Sequence, residues 1–426
     1  MILLLFLGVL IGSILLGLPV AFALLLAALA LMLQMDLFSA DILAQNLING
    51  VDSFPLLAIP FFIVAGEVMS SGGLSTRIVR LATAMIGHRK GGLGYVAILT
   101  AILMAGLSGS AVADAAALVS ILYPMMRKAN YPEGASVGLL ASGGIIAPVI
   151  PPSLPLILVG VAGNISIKNL FLGGIAPGLI MGLTLMFVWS LIIRHEDVEP
   201  LPKADSAERW AALRSGFWAL LLPLIIVGGI RFGIFTPTEA AVVAAVYAIF
   251  VSVFIYREIN WASFLRILIN SGRATAMVMF LVGCAIVAAW LITVAQLPQQ
   301  LVALLQPLID QPRVLMAVIM LIVLFVGMVM DLSPTILILV PLLLPVAKAA
   351  GIDPVYFGLM FVINCSIGLI TPPVGNVLNV VCGVGQVKMS TAVRGAWPFI
   401  IAYLILLALF VAVPELITIP MNFFIG

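Results

Sequence analysis

The segment Gly368-Leu369-Ile370-Thr371-Pro372-Pro373-Val374-Gly375-Asn376 decides the fold, because it interrupts an apolar run that extends from Val355 to Gly385. Such a run is long enough to cross a bilayer. Proline has no backbone N–H and clashes with the preceding turn, so a helix cannot continue unbroken through Pro372 and Pro373. In hydrocarbon, the freed carbonyls are tolerated only where they pack in protein or line a polar cavity.

A second break of the same kind lies about 220 residues earlier, at Ile145-Ile146-Ala147-Pro148-Val149-Ile150-Pro151-Pro152-Ser153. One proline pair alone fits a structural kink as well as a functional break. Two broken membrane helices at matching places in two halves of a chain are instead typical of a transporter binding site. The sequence therefore predicts a secondary transporter with an internal repeat.

The composition sets the class of protein. The chain has 426 residues, of which 64% are hydrophobic and 8% are charged, and its net charge is +2. These values predict a polytopic membrane protein that contacts lipid, and they give no reason to expect a nucleic-acid partner. Its cysteines, Cys284, Cys365 and Cys382, have neither disulfide nor metal-site spacing. The first apolar segment, Ile2–Leu33, lacks a basic start and is predicted to be a retained membrane helix.

Basic residues predict a re-entrant hairpin in the first half. Arg89-Lys90 precedes the apolar segment Leu93–Met126, Arg127-Lys128 follows it, and Ser108-Gly109-Ser110 interrupts it. Lysine and arginine favour the cytoplasm, so both ends are expected on that side, with the serines at the tip. Two ordinary spans are the alternative, although each half is short for a span. A second hairpin is expected over Val314–Ala347, with its tip at Asp331–Thr335.

The remaining apolar segments are predicted to repeat in the same order, with one extra crossing between the halves. The predicted spans are Ile2–Leu33, Phe54–Met69, Ala135–Gly163 and Leu170–Ile193, then the extra span Phe217–Ile230, then Glu239–Ile255, Ala274–Val294, Tyr356–Gly385 and Ala396–Val413. The predicted interfacial helices are Asp36–Asp52, Leu74–Ile86, Trp261–Leu268 and Leu297–Ile309, and the polar loop Arg194–Arg214 is expected in the cytoplasm.

Paired residues at offsets close to 220 support the repeat. The pairs are Asp114 with Asp331, Pro132 with Pro354, Gly138 with Gly358, and the two Pro-Pro dipeptides. Each half contains four crossings, and the single extra crossing starts the second half on the opposite side of the membrane. We therefore expect an all-α protein of two inverted repeats, each with a re-entrant hairpin and a broken helix.

This pattern predicts five parts that alternate between a scaffold and a transport domain. They are residues 1–92 with interfacial arm helices, residues 93–165 with the first hairpin and broken helix, residues 166–312 with cytoplasmic loop 194–214 and further arm helices, residues 313–387 with the second hairpin and broken helix, and residues 388–426 with the last scaffold helix.

Candidate catalytic groups are sparse in the sequence. The two histidines, His88 and His195, lie in charged boundary regions, and no HExxH or CxxC motif occurs. A serine nucleophile at Ser108 would lack an evident base. We therefore predict that the chain is not an enzyme.

The hairpin tips and helix breaks offer oxygen atoms for a hard cation. Hydroxyls and carbonyls are suitable sodium ligands by analogy with other hard ions. Close helix packing is the alternative explanation for small residues at these places. The candidate sodium ligands are Ser108, Ser110, Ala147, Ile150 and Pro152 in the first half, and Gly327, Gly368, Thr371 and Val374 in the second.

Ionisable residues within membrane segments suggest a function by default. Asp114 and Asp331 could each bind a cation, relay protons or cap the start of a helix. Helix N-termini favour anions, so residues beside them are candidates for binding an anionic substrate. The full set of substrate-binding candidates is Ser110, Asp114, Ser153, Asp331, Ser333, Thr335 and Asn376.

Five stretches together resemble the large membrane subunit of tripartite ATP-independent periplasmic (TRAP) transporters. They are Ser108–Asp114, Ile146–Ser153, Phe235–Ala240, and Gly351–Pro354 followed by Thr371–Gly375. The resemblance covers essentially the whole chain and is nearest to the 2,3-diketo-L-gulonate branch. It implies an elevator-type ion transporter fold, sodium ions at the hairpin tips and helix breaks listed above, and import of an organic acid such as a sugar acid, sialic acid or dicarboxylate.

The resemblance also implies partners and a location. The expected partners are a small four-helix membrane subunit and a periplasmic substrate-binding protein. The chain is expected in the bacterial inner membrane with its N-terminus in the cytoplasm. A stand-alone sodium/carboxylate transporter of a related fold is the alternative within transport, and an ion channel or a non-transporting scaffold is the alternative outside it.

Overall fold

The computed structural model describes residues 2–425, apart from the side chains of Leu3 and Leu107, and within this range the chain forms helices and no strand. Met1 and Gly426, the ends of the first and last predicted parts, lie outside the described residues. In the described range, seven helices are long and apolar enough to cross a membrane. The prediction of an all-α polytopic membrane protein is confirmed.

The first half contains a short apolar helix, an arm, a hairpin, a broken helix and a long return helix. Its helices are α1 (Ile2–Leu15), α2 (Val20–Gln34), α3 (Ala40–Val51), α4 (Ala58–Ser71, preceded by a 3-10 turn over Phe54–Leu57), α5 (Leu74–Ile86), α6 (Gly92–Ser108), α7 (Ala111–Lys128), α8 (Glu133–Gly144), α9 (Leu154–Gly163) and α10 (Ile167–Ile193).

The second half follows a connecting helix, α11 (Ser206–Arg231), and repeats the order of the first. Its helices are α12 (Pro237–Phe250, followed by a π-helical turn over Val251–Ile255), α13 (Trp261–Val294), α14 (Leu297–Leu304), α15 (Gln306–Ile309), α16 (Pro312–Gly327), α17 (Leu332–Ala349), α18 (Pro354–Gly368), α19 (Asn376–Gly385), α20 (Met389–Ala412) and α21 (Glu415–Ile425).

Both predicted hairpins and both predicted helix breaks are present. Helices α6 and α7 pack on each other, as do α16 and α17. At the open end of the first hairpin, the backbone N–H of Leu93 donates to the Tyr131 hydroxyl at 3.3 Å. Non-helical segments divide α8 from α9 and α18 from α19 at the two proline pairs. Since α11 adds one crossing between the halves, the two repeats are inverted.

The N-terminal segment differs from the prediction of a single span over Ile2–Leu33. Helix α1 ends at Leu15, and Gly17, with φ +84°, begins the turn that leads to α2. The two helices then pack side by side. The chain therefore reverses fully at Gly17 and Pro19, because a positive φ followed by proline cannot continue a helix.

The predicted break between an interfacial helix Trp261–Leu268 and a span Ala274–Val294 is wrong. Helix α13 runs continuously through both, for 34 residues, and Asn260 caps it by accepting a hydrogen bond from Ser263 N–H at 2.8 Å. In the first half, Pro55 separates the equivalent α3 and α4. The second half has no proline at the matching place, so its helix does not break.

Two boundaries also move, and one helix is new. The polar loop predicted over Arg194–Arg214 ends at Asp205, which caps α11 by accepting from Glu208 N–H at 2.6 Å. The second hairpin turns before Asp331, not across Asp331–Thr335, because α17 already begins at Leu332. Helix α21 was not predicted, and it begins directly after Pro414.

The arm helix α5 is tied to the end of α12 by a polar cluster. The Arg77 guanidinium forms an ion pair with Glu258 at 2.7 Å and lies 3.7 Å from the centroid of the Tyr256 ring. Arg77 also donates to the Gly73 carbonyl at 2.9 Å, and a Cβ on Gly73 would lie 2.0 Å from the Glu258 carboxylate. One basic residue of the predicted basic arm thus holds two helices together.

Helices α10 and α20 pack on the hairpins and broken helices, although residues 166–312 and 388–426 were predicted as scaffold. Helix α20 packs most extensively on α8 and also contacts α18 and α19, and α10 contacts α6, α8, α9 and α18. A Cβ on Gly174 of α10 would lie 2.2 Å from the Val149 carbonyl oxygen in the first break. By contrast, α2, α3, α4, α12 and α13 pack mainly among themselves. We therefore regroup α10 and α20 with the hairpins.

Glycines allow α8 and α20 to approach until their backbones touch. A Cβ on Gly395 would lie 1.9 Å from the Gly134 carbonyl oxygen, and a Cβ on Gly138 would lie 2.5 Å from the Gly395 carbonyl carbon. Small residues are the usual means of close helix packing in membranes, where the hydrophobic effect does not drive association. This contact is the tightest point between α20 and the first broken helix.

Replacing Gly395 by alanine should lower the melting temperature of the purified protein in detergent. The added methyl group overpacks the α8–α20 contact, and overpacking costs about 1–3 kcal/mol. Gly272→Ala in α13 is the matched control, because no atom lies within 4 Å of its Cβ position. We expect the control to melt at or above the wild-type temperature, since alanine favours a helix by about 1 kcal/mol over glycine. Equal melting of the two variants would contradict the packing described.

Candidate ion and substrate site

The tip of the first hairpin lies against the first helix break. Gly109 has φ +62°, and a Cβ on it would lie 2.7 Å from the Pro152 carbonyl oxygen and 3.0 Å from the Ser153 Cα. A side chain at this position would be both strained and obstructed, so only glycine permits the contact. The structure thus brings the predicted tip Ser108-Gly109-Ser110 next to the predicted break.

Hydroxyl groups at this tip are ordered by local hydrogen bonds. The Ser110 N–H donates to the Ser108 Oγ at 3.1 Å, and the Ser108 hydroxyl donates to Asp114 Oδ1. Ser110 caps α7 by accepting from the Ala113 N–H at 3.4 Å. Ser110 is therefore the cap of this helix, and the cap role considered for Asp114 is wrong.

The first break presents carbonyl oxygens without partners. Among the described residues, no donor forms a hydrogen bond with the carbonyl oxygens of Ala147, Ile150 or Pro152. Ala147 and Pro152 are buried, and Ile150 is partly buried. Unpaired carbonyls at such a place are costly unless a donor or a cation reaches them. Three predicted ligands thus have the chemistry that a hard cation needs.

The second break is built on a direct backbone contact between the hairpin and the broken helix. A Cβ on Gly368 would lie 2.5 Å from the Gly327 carbonyl carbon, so the ends of α16 and α18 cross at these two glycines. The Thr371 hydroxyl donates to the Ile367 carbonyl at 2.7 Å, which leaves its oxygen able to accept or coordinate. The Gly368 carbonyl accepts from Thr371 N–H at 3.0 Å, and the Val374 carbonyl accepts from Asn379 at 3.1 Å.

The remaining substrate candidates occupy three helix starts. Ser153 caps α9 by accepting from Leu156 N–H, and its hydroxyl donates to the Pro148 carbonyl. Asp331 is at the cap position of α17 without a side-chain capping bond, and the buried Thr335 donates to its carbonyl at 2.8 Å. Ser333, in the first turn of α17, and Asn376, the first residue of α19, are both partly buried.

The helix starts also correct the pairing of the two aspartates. Ser110 and Asp331 are the cap residues of the second helix in each hairpin, so they are equivalent. Asp114 and Thr335 each follow four residues later and are equivalent to each other. Asp114 and Asp331, paired in the sequence by their similar offset, therefore do not occupy matching positions.

A cavity of about 260 Å³ adjoins the first tip and adds a residue that sequence reasoning missed. Ser108, Ser110 and Asp114 line one side, and Glu67 and Ser70 of α4 line the other. The apolar α4 carries Glu67 and Ser70 one turn apart, and this spacing on one face was the available signal.

Half-helices exchange between the repeats. Helix α9, which follows the first break, packs on α17 of the second hairpin, and α19, which follows the second break, packs on α7 of the first hairpin. Both breaks and both tips consequently belong to one packed body. The sequence did not indicate this exchange, because packing partners across two repeats leave no local pattern.

Comparisons with known proteins agree with this geometry. Residues 7–416 match the family described as "Tripartite ATP-independent periplasmic transporter, DctM component". The chain is 57% identical to the 2,3-diketo-L-gulonate TRAP transporter large permease protein YiaN of Escherichia coli over 419 residues, covering 98% of this chain and 99% of that one. It is 40% identical to the sialic acid TRAP transporter large permease protein SiaM of Vibrio cholerae, covering 97% of each chain.

The fold also resembles a solved structure. The crystal structure of the YdaH transporter of Alcanivorax borkumensis, described as having an unusual topology, superposes with a TM-score of 0.65 at 15% identity, over 89% of this chain and 91% of that one. This confirms the fold class. The relatives are transporter permeases, so the prediction that the chain is not an enzyme is confirmed as well. The chain belongs to the DctM component family of TRAP transporters and is a large permease subunit that crosses the inner membrane several times.

Proposed function

We propose that this subunit carries an organic acid from the periplasm to the cytoplasm, coupled to sodium and by an elevator motion. The observation that carries the proposal is the pair of hairpin tips in contact with two helix breaks, with unpaired carbonyl oxygens at the first. Sodium would supply the positive charge that these oxygens lack. Ser108, Ser110, Ala147, Ile150 and Pro152 would hold one ion, and Gly327, Gly368, Thr371 and Val374 would hold another.

The elevator motion is supported by how the helices group. The hairpins, the broken helices, α10 and α20 form one body through the exchange of α9 and α19. The helices α2, α3, α4, α12 and α13 would form the scaffold against which it slides. The cavity beside the first tip extends to Ser75, close to the basic arm that we expect in the cytoplasm. This arrangement suits a state that releases substrate to the cytoplasm.

A sugar acid is the substrate class that we favour, because a relative named for 2,3-diketo-L-gulonate is 57% identical. Sialic acid and dicarboxylates are the comparison substrates. The starts of α7, α9, α17 and α19 would attract the carboxylate, with Ser110, Ser153, Ser333 and Asn376 nearby and with Asp331 and Thr335 shaping the second tip. A small four-helix membrane subunit and a periplasmic binding protein would complete the transporter.

Reconstitution in proteoliposomes tests the whole proposal. Uptake of 2,3-diketo-L-gulonate should require this chain, the small membrane subunit, the loaded periplasmic protein and an inward sodium gradient together. Potassium should not replace sodium. Uptake by this chain alone would favour the stand-alone sodium/carboxylate transporter. An internal substrate concentration that never rises above the external one would favour a channel.

Thr371→Val should raise the sodium concentration for half-maximal uptake by about tenfold, since losing one hydrogen bond or ligand to a charged group costs roughly 1.5 kcal/mol. Thr371→Ser should restore most of the sodium affinity because it keeps the hydroxyl. The matched control is Thr184→Val in α10, which loses the same kind of bond to the carbonyl four residues earlier, at 2.9 Å. Unchanged sodium activation in Thr371→Val would remove this residue from the proposed site.

We infer that the N-terminus faces the periplasm, opposite to the sequence expectation. The chain has no lysine or arginine before Arg77, so the positive-inside rule gives no direct signal here. From the predicted cytoplasmic end of α4, one crossing leads back to α3 and to the end of α2 on the periplasmic side. Helix α2 therefore begins on the cytoplasmic side, where α1 ends. Because α1 packs alongside α2 after a full reversal of the chain, α1 begins on the periplasmic side, and the N-terminus lies there.

Reporter fusions to the N-terminus should distinguish the two orientations. Alkaline phosphatase is active only in the periplasm, so its fusion to the N-terminus should be active. A fluorescent protein that folds only in the cytoplasm should not fluoresce when fused to the N-terminus. Fusions to the loop between α10 and α11 should behave in the opposite way. Fluorescence from the N-terminal fusion would restore the cytoplasmic orientation.

A further inference from the structure

Asp114 has a buried carboxyl oxygen that lacks a partner. The residue is 2% exposed, and its Oδ1 accepts from the Ser108 hydroxyl. Its Oδ2 is fully buried and finds no hydrogen-bond donor among the described residues. An ionised carboxylate so far from water is costly unless a counter-charge lies beside it. The position of Asp114 in a cavity wall makes room for that counter-charge.

The cavity itself contains oxygen ligands from two sides. The first hairpin contributes the carboxylate of Asp114 and the hydroxyls of Ser108 and Ser110, and α4 contributes the carboxylate of Glu67. The described residues that line the cavity include no lysine, arginine or histidine. The two charged side chains that line the cavity, Glu67 and Asp114, are therefore both acidic. All of these candidate ligands offer oxygen atoms, which hard cations prefer.

We propose that this cavity binds a monovalent cation of sodium's size between Glu67 and Asp114. Two carboxylates and the serine hydroxyls suit a single positive charge, and no cluster of three or more acidic, histidine or cysteine side chains forms within the described part of the chain to hold a multivalent metal. The site adjoins the proposed sodium site at the first break and shares the Ser108 and Ser110 hydroxyls with it, but it differs in using the carboxylates of Glu67 and Asp114 and none of the carbonyls of the helix breaks.

The position of the site between two bodies defines its role, which rests on the proposed elevator function. A Cβ on Gly66 of α4 would lie 3.6 Å from the Ser108 Cα, so the hairpin tip is docked directly on α4. Sliding of the hairpin would separate Asp114 from Glu67 and destroy the site. A bound cation therefore stabilises this docked state. It also neutralises an acidic wall that would otherwise repel an anionic substrate leaving toward the cytoplasm.

Alkylation of a cysteine in the cavity tests cation binding without measuring transport. Ser70 is exposed and lines the cavity, whereas the native cysteines Cys284, Cys365 and Cys382 are buried. In Ser70→Cys protein in nanodiscs, sodium should slow reaction with a cationic thiol reagent, at constant ionic strength against N-methylglucamine. At sodium tenfold above its dissociation constant, mass action gives about tenfold protection.

Variants locate the protecting ion. Glu67→Gln and Asp114→Asn, each combined with Ser70→Cys, should abolish the protection, and melting temperatures verify that both proteins are folded. Glu199→Gln in the exposed cytoplasmic loop is the control and should retain full protection. Thr371→Val should also retain full protection. The protection experiment therefore tests this cavity independently of the proposed sodium site at the second break.

Three results would overturn the proposal. The first is a Ser70→Cys protein that is folded and reactive but not protected by sodium. The second is protection that persists in the folded Glu67→Gln and Asp114→Asn proteins. The third is protection by calcium and not by sodium, which would replace the monovalent cation with a divalent one.

Discussion

A backbone carbonyl without a hydrogen-bond donor is the constraint on which this structure depends. A membrane helix satisfies its own carbonyls, and two consecutive prolines prevent that at one place in each repeat. At the first break, Ala147, Ile150 and Pro152 keep carbonyl oxygens without hydrogen-bond donors among the described residues, and the hairpin tip at Gly109 lies against the Pro152 carbonyl. At the second, Gly327 and Gly368 bring two helix ends into contact. Glycines stand at these contacts because any side chain would separate the tip from the break.

The exchange of half-helices makes the two breaks act as one unit. Each half-helix that follows a break packs on the hairpin of the other repeat. A displacement at one tip is therefore transmitted to the other through packed helices and not through a flexible linker. The long helices α10 and α20 pack on this body, where Gly174 and Gly395 permit backbone contact. Within such a body, both tips and both breaks keep their relative geometry.

Charged side chains in this protein have two kinds of environment. Most lie at helix ends and interfaces, where water or a cap supports them, as in the capping box of Thr236 and Glu239. The Arg77–Glu258 pair stabilises the joint between the arm and α12. Asp114 differs because it is buried with a free oxygen in a membrane segment. Ionisable residues inside membrane segments usually lie at functional sites. The cavity beside the first hairpin, which Asp114 lines, is therefore a candidate functional site.

The sequence by itself determined the class of protein, the two hairpins, the two breaks and the inversion of the repeats. Proline pairs, apolar runs and basic boundaries act locally, so each leaves a readable pattern. The tertiary structure alone decided the reversal after α1, the unbroken α13, the assignment of α10 and α20 to the hairpin body and the true partner of Asp331, which is Ser110. It also brought Glu67 to the same cavity as Asp114. These features depend on which helices touch, and contacts between residues distant in sequence are chosen by packing rather than by local composition.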